Sequence, residues 1–422
     1  MEITLHRTGA VELRVAAPPS KSYTHRALIA GALASGTTRI KNPLHADDIT
    51  LTARALEQLG IPIQEEDDGF VIEGCGGSPA CPAEPLLDLG NSGTSLRLLT
   101  STALLCETPV VLTGSPGMLE RPVGPLVQAL NSLGGEIRYV EREGYPPIRV
   151  QGRFRGGTAT INGSISSQFI SSILMAAPYA EEDVELIITE SLASRSYLDV
   201  TADIMQTFGA KLKRDGYFRF MVGSGVPYAG REYAVEGDYS SASYLFAVAA
   251  CCGGRVTVTN LNPASVQGDV RFLDALESMG CRVARSADGV TVERDGALSG
   301  TTIDMSSSPD TVQTLCMVAA VAESQTTITG IGHLKYKESD RIRVTAEGLR
   351  RMGARVSVQN DSISISPGPL RGTTIDPVDD HRTAMSFAVL GLGIGGVTVQ
   401  YAECVKKSFP GFWEILKGAG LL

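Results

Sequence analysis

One pattern, met six times along the chain, restricts this sequence to a small set of folds. A polar cluster opens a run of small and apolar residues, which gives way to a stretch rich in Thr, Val and Ile. The copies are "PPSKSYTHRALIAGALASGTT" (18–38), "NSGTSLRLLTSTALLCETPVVLTG" (91–114), "SISSQFISSILMAAPYAEEDVELII" (164–188), "GDYSSASYLFAVAACCGGRVTVTN" (237–260), "SSPDTVQTLCMVAAVAESQTTITG" (307–330) and "DDHRTAMSFAVLGLGIGGVTVQ" (379–400). Ala and Leu runs lose little entropy on becoming helical, and β-branched stretches suit strands. A second helical segment follows each copy and ends in an apolar residue and a glycine, at Gly60, Gly134, Gly209, Gly280, Gly353 and, more loosely, Gly420, at spacings of 74, 75, 71, 73 and 67 residues. Glycine directly after a last turn predicts a left-handed helix cap.

Units of this length bury their helices only against neighbours, and 422 residues exceed what a single core supports. The reading is therefore an α/β protein of two similar domains, each of three units. The third unit closes near "GSGVPYAGREYAVEGD" (223–238), whose Gly and Pro content marks a crossover. The sixth lacks its final strands, and a strand over residues 2–16 precedes the first. Joining those ends predicts one discontinuous domain, 1–19 with 236–422, and one continuous domain, 20–235.

Composition narrows the function. Hydrophobic residues make up 43% and charged residues 20%, the balance of an ordinary globular chain. A formal net charge of −9 excludes a general binder of nucleic acid or acidic membrane, whose affinity rests on surplus Lys and Arg. The eight cysteines, at 75, 81, 106, 251, 252, 281, 316 and 404, form no C-x-x-C pair and are read as reduced, mostly buried thiols of a cytoplasmic protein. Five histidines with no H-x-x-x-H spacing argue against zinc. The uncharged run 383–402 carries glycines and a β-branched end, so it is read as helix, turn and strand rather than a membrane span. There is no Walker-type loop, and "GLGIGG" (391–396) is a helix-to-strand turn rather than a dinucleotide fingerprint.

The polar clusters carry the chemistry. Lys21, Ser22 and Arg26 fall at a helix N-terminus, where unpaired N–H groups already favour an anion. Lys21, Arg26, Arg97, Arg121, Lys337, Arg341, Arg382 and Lys407 come from both halves of an acidic chain. If the six polar helix ends point the same way in each domain, they line one interdomain cleft attractive to a ligand with several phosphates or carboxylates. Asp310 and Glu338 stand among these cations. Each is read either as a helix cap or ion-pair partner, or as a group that moves protons on a bound anion.

Eight motifs, "PPSKSYTHRALI", "LGNSGTSLRLL", "ERPVGPL", "SISSQF", "VEGDYSSASY", "KESDR", "DDHRTAM" and "KKSFPGFW", resemble in order and spacing the 5-enolpyruvylshikimate-3-phosphate synthase family over almost the whole chain. The resemblance implies an inside-out α/β barrel in each domain, three βαβαββ units with helices inside and sheets outside. It implies transfer of the enolpyruvyl group of phosphoenolpyruvate to the 5-hydroxyl of shikimate 3-phosphate by addition and elimination, with no metal or cofactor. It assigns phosphoenolpyruvate to Lys21, Gly93, Arg121, Gln168, Arg341, Arg382 and Lys407. Shikimate 3-phosphate goes to Ser22, Arg26, Ser166, Ser167, Gln168, Ser194, Tyr197, Asp310 and Lys337. Catalysis goes to Asp310 as base for the hydroxyl and to Glu338 with Lys21 as the groups that protonate the methylene carbon. Its partners would be those two small molecules, with no nucleic acid and no membrane, and the chain a monomer.

Departures from the commonest pattern are Ser92, Leu96 and Leu98 around Arg97, and His333 where asparagine is usual. Gly93 is kept, which implies ordinary competition between glyphosate and phosphoenolpyruvate. The sister family that acts on UDP-N-acetylglucosamine has Lys-Asn where this chain has Lys21-Ser22, and a reactive cysteine where it has Pro116. A non-catalytic binder of sugar phosphates has no use for Asp310 or Glu338, and a repeat scaffold needs no distinct polar residues at each helix start.

Overall fold

Each of the six small-residue runs forms a helix buried at nearly every position: Lys21–Leu33, Gly93–Ala103, Ser167–Ala176, Tyr239–Cys252, Val312–Ala320 and His381–Ile394. Small side chains let these helices pack on all sides, and the polar residues at their starts serve as caps. Ser92, Ser166, Asp238 and Asp380 accept backbone N–H groups of Ser95, Gln168, Ser241 and Arg382. The second helices are Asp47–Gln58, Gly124–Ser132, Ser196–Thr207, Arg271–Ser278, Arg341–Met352 and Phe412–Gly418. All six glycines that follow them have positive φ, from 70° at Gly420 to 106° at Gly280, as the left-handed cap requires.

The computed structural model describes residues 1–422. The chain divides into two units, Met1–Ser20 with Glu236–Leu422 and Lys21–Val235, each with its own hydrophobic core. Three sheets belong to each unit. In the five four-stranded sheets, the strand after the buried helix pairs in parallel with an edge strand on one side and antiparallel with a hairpin on the other. Val110–Thr113, for example, lies between Leu86–Asp88 in parallel and Ile148–Val150 in antiparallel register. Buried helices and strands of alternating burial make an α/β arrangement with helices inside and sheets outside. The sheets remain separate, so no closed barrel forms.

The crossovers exchange strands. Val11–Ala16 precedes helix Lys21–Leu33 in sequence but pairs in parallel with Gly254–Thr259. Glu232–Ala234 precedes helix Tyr239–Cys252 but pairs in parallel with Ser35–Lys41. The N-terminal segment, expected as one strand over 2–16, is two strands. Ile3–Leu5 joins Val397–Val399 and completes the short sixth sheet, and Val11–Ala16 enters another sheet. Between them the Thr8 amide donates to the Leu392 carbonyl, 2.7 Å away, in the last turns of the sequence-distant helix His381–Ile394.

No helix is long and apolar enough to cross a membrane. The uncharged run is helix His381–Ile394, then Gly395 and Gly396 at positive φ, then strand Val397–Val399. The expectation of eight reduced thiols fails at one pair, since Cys81 and Cys106 form a disulfide. Parallel pairing of Leu86–Asp88 with Val110–Thr113 places the segments before both strands at the same end, which brings these cysteines together without any short spacing to signal it.

Candidate active site

In the unit Met1–Ser20 with Glu236–Leu422, four residues singled out from the sequence form one network. The turn Pro309–Thr311 presents Asp310 just before a buried helix, and Arg341 opens the helix Arg341–Met352. Arg341 donates to Asp310 Oδ1 (Nη1, 2.9 Å), Glu338 Oε2 (Nη2, 2.6 Å) and Asp380 Oδ2 (Nε, 2.9 Å). Arg382 Nη2 donates to Asp310 Oδ2 at 2.7 Å, and its Nη1 reaches the Tyr244 hydroxyl and the Asp310 carbonyl. Asp310 is thus gripped by two guanidinium groups, one on each oxygen. Glu338, expected as a possible partner of its neighbour Lys337, is bound by Arg341.

Exposure separates the carboxylates. Asp310 keeps 18% and Glu338 10% of the side chain exposed, whereas Arg341 keeps 2% and Asp380 none. Asp310 and Glu338 are therefore open to solvent in part, while Asp380 binds Arg341 from a fully buried position. Burial alone would lower the Arg341 pKa, but Asp380, Glu338 and Asp310 outweigh it and hold the guanidinium well above its ordinary value. With every group ionised, two guanidiniums face three carboxylates, one negative charge in surplus. Lys407, largely buried, ends the turn Ala402–Lys407, and Lys337 follows the turn Gly332–Tyr336.

His333 lies within that last turn, buried. Burial, with Lys337 as the next cause, pushes its pKa from 6.5 down to about 3. The imidazole is therefore neutral at neutral pH. A depressed histidine destabilises the fold as pH falls below its unfolded value, because only the unfolded chain then takes the proton. Replacement of His333 by Asn should accordingly gain up to about 2 kcal/mol relative to the wild type between about pH 8 and about pH 5, read by urea unfolding at both. An unchanged difference between the two pH values contradicts this.

In the unit Lys21–Val235 the expected residues fall into small groups. Lys21 Nζ lies 3.1 Å from Asp48 Oδ2, in the first turn of the second helix. Arg26 is buried and its donors go to protein: Nε to Thr201 Oγ1 at 2.8 Å, Nη1 to the Ser22 carbonyl at 2.9 Å, and Nη2 to Ser171 Oγ and the Tyr197 carbonyl, both at 3.3 Å. It holds Ser22 and Tyr197, two other expected residues, in place. Burial lowers its pKa to about 10, which still leaves it charged at neutral pH. Ser194 adopts a left-handed backbone at φ 56° just before helix Ser196–Thr207, a strained conformation for a non-glycine residue.

Gly93 opens helix Gly93–Ala103, and a Cβ there would stand 2.6 Å from the Arg121 guanidinium carbon. The absent side chain is what lets Arg121 lie across the helix start. Gln168 bridges two buried helices, accepting from Arg97 Nη1 at 2.7 Å and donating to Thr94 Oγ1 at 2.9 Å. Ser166 caps its helix and Ser167 begins it. Asp48 and Asp380 carry much of this geometry and were not singled out in the sequence, since each meets its partner 27 or 39 positions away. The motif "DDHR" contained Asp380 but gave no sign of Arg341 as its mate.

The model of the EPSP synthase (3-phosphoshikimate 1-carboxyvinyltransferase) family matches residues 5–416. The 3-phosphoshikimate 1-carboxyvinyltransferase of Methanoculleus marisnigri is 66% identical over 422 residues, covering all of both chains. That of Methanoregula boonei is 61% identical over 416 residues, 99% of each chain. Among solved structures, EPSP synthase from Acinetobacter baumannii is similar with a TM-score of 0.81 at 30% identity, covering 100% of this chain and 98% of that one.

Proposed function

Because the chain belongs to the EPSP synthase (3-phosphoshikimate 1-carboxyvinyltransferase) family and so transfers enolpyruvyl from phosphoenolpyruvate to shikimate 3-phosphate in aromatic amino-acid biosynthesis, we propose which residues perform each step. Phosphoenolpyruvate is held by Lys21, Gly93, Arg121, Gln168, Arg341, Arg382 and Lys407. Shikimate 3-phosphate is held by Ser22, Arg26, Ser166, Ser167, Gln168, Ser194, Tyr197, Asp310 and Lys337, with Arg26 acting through Ser22 and Tyr197. The enzyme works as a cytoplasmic monomer and, at a net charge of −9, without nucleic acid.

The observation that carries this reading is the Asp310 carboxylate held between Arg341 and Arg382, with Glu338 on the same arginine. Asp310 takes the proton of the 5-hydroxyl as its oxygen attacks C2 of phosphoenolpyruvate. Glu338, with Lys21, delivers a proton to the C3 methylene, which becomes a methyl group. In this reading Glu338 enters the reaction as an acid, since the proton it delivers to C3 must already be on it. The cations stabilise charge moving onto the phosphate. Elimination reverses the proton step: the methyl group loses a proton, the C–O bond to phosphate breaks, and the enol ether remains.

Glu338→Gln should slow formation of the tetrahedral adduct in a single turnover by about 10²-fold. Phosphoenolpyruvate binding by calorimetry, with shikimate 3-phosphate present, should change far less. Adduct formation at the wild-type rate would remove Glu338 from the proton transfer.

A further inference from the structure

Asp269 sits behind the candidate base, in the turn Gly268–Val270, and is buried. Its Oδ1 accepts from Ser308 Oγ at 2.9 Å, and its Oδ2 accepts from Ser240 Oγ at 2.6 Å. Ser308 is fully buried and its hydroxyl lies 2.8 Å from Thr311 Oγ1, while its carbonyl accepts from the Thr311 amide. These bonds bracket the turn that carries Asp310. We propose that Asp269 is a positioning residue for Asp310: it fixes the Ser308–Thr311 turn through Ser308, and its charge keeps Asp310 a competent proton acceptor beside two guanidinium groups. The proposal rests on the reading of Asp310 as the base.

The electrostatics run the same way. The charged groups facing Asp269 are Asp310 from that turn, Arg382 from helix His381–Ile394 and Asp238 from the cap of helix Tyr239–Cys252. Burial first, and the Asp310 charge second, raise the Asp269 pKa to about 6. The repulsion is mutual, so an ionised Asp269 opposes the two arginines and makes Asp310 hold a proton more readily. Protonation of Asp269 removes that repulsion, so the reaction should lose rate as Asp269 gains its proton.

The test is the pH profile of kcat for phosphate release by the full chain. Asp269→Asn keeps the shape but not the charge. It should lower kcat about tenfold and move the acid limb of the profile down by about one pH unit, with both KM values changed less than about threefold. Asp269→Glu should restore the limb toward its wild-type position. Ser308→Ala, which cuts the link but leaves the charge, should lower kcat without moving the limb. Wild-type kcat and an unmoved limb in Asp269→Asn overturn the proposal. If that variant does not fold, Ser308→Ala decides, since wild-type kcat there overturns it equally. An inactive Asp310→Asn beside an ordinary Asp269→Asn sinks only the Asp269 role, whereas an active Asp310→Asn sinks the reading of Asp310 itself.

Discussion

Asp310→Asn lowers kcat by about 10²- to 10⁴-fold while leaving the KM for phosphoenolpyruvate within a few-fold of the wild type. The expectation follows from the position of the carboxylate. Both of its oxygens are bound by arginines, and it still keeps 18% of its side chain exposed. The amide retains one acceptor for the guanidiniums and nearly the same volume, so the arginines stay close to their places, but it cannot take a proton. Steady-state phosphate release together with thermal unfolding separates the two roles. A variant that loses stability yet turns over within about tenfold of the wild type shows Asp310 to be only a partner of Arg341 and Arg382.

Arg341→Met costs about 3–5 kcal/mol of stability, roughly 10 °C in Tm. The guanidinium is the common partner of Asp310, Glu338 and Asp380, and Asp380 is fully buried. Without it, carboxylates remain in a poorly solvated place with their neutralising charge removed. Their pKa values then rise above those of the unfolded chain, so the variant regains stability as pH falls and loses it as pH rises. The deficit against the wild type should therefore narrow between about pH 8 and about pH 5 in denaturant titrations. A deficit below about 1 kcal/mol, or one that widens on acidification, contradicts a charge-balanced cluster.

The fold was largely legible because its signals are local and repeated. Helix propensity, the six glycines at left-handed caps and the β-branched stretches all act within a few residues, and six copies made the period visible. The parts that escaped depend on distant pairings. The segment 2–16 alternates like one strand, but its halves pair with strands far along the chain, and between them the Thr8 amide donates to the Leu392 carbonyl. Cys81 and Cys106 meet because two parallel strands begin side by side. The polar residues of the candidate site were recognisable by type and motif, but their partners were not. Glu338 was visible beside Lys337, yet it is bound by Arg341, which lies one helical turn on. Gly93 was assigned to phosphoenolpyruvate by its motif, but nothing in the sequence showed that the atoms nearest an added Cβ there are those of Arg121. Arg26 was assigned to shikimate 3-phosphate by its motif, and its partners in the fold, on its own helix and on two other helices of its unit, were not visible in the sequence.

Phosphate release from phosphoenolpyruvate, with shikimate 3-phosphate or UDP-N-acetylglucosamine offered as acceptor, tests the central claim most directly. The account predicts release that requires shikimate 3-phosphate, proceeds without added metal or cofactor, and does not occur with the nucleotide sugar. Release with UDP-N-acetylglucosamine alone, or with neither acceptor, would contradict it.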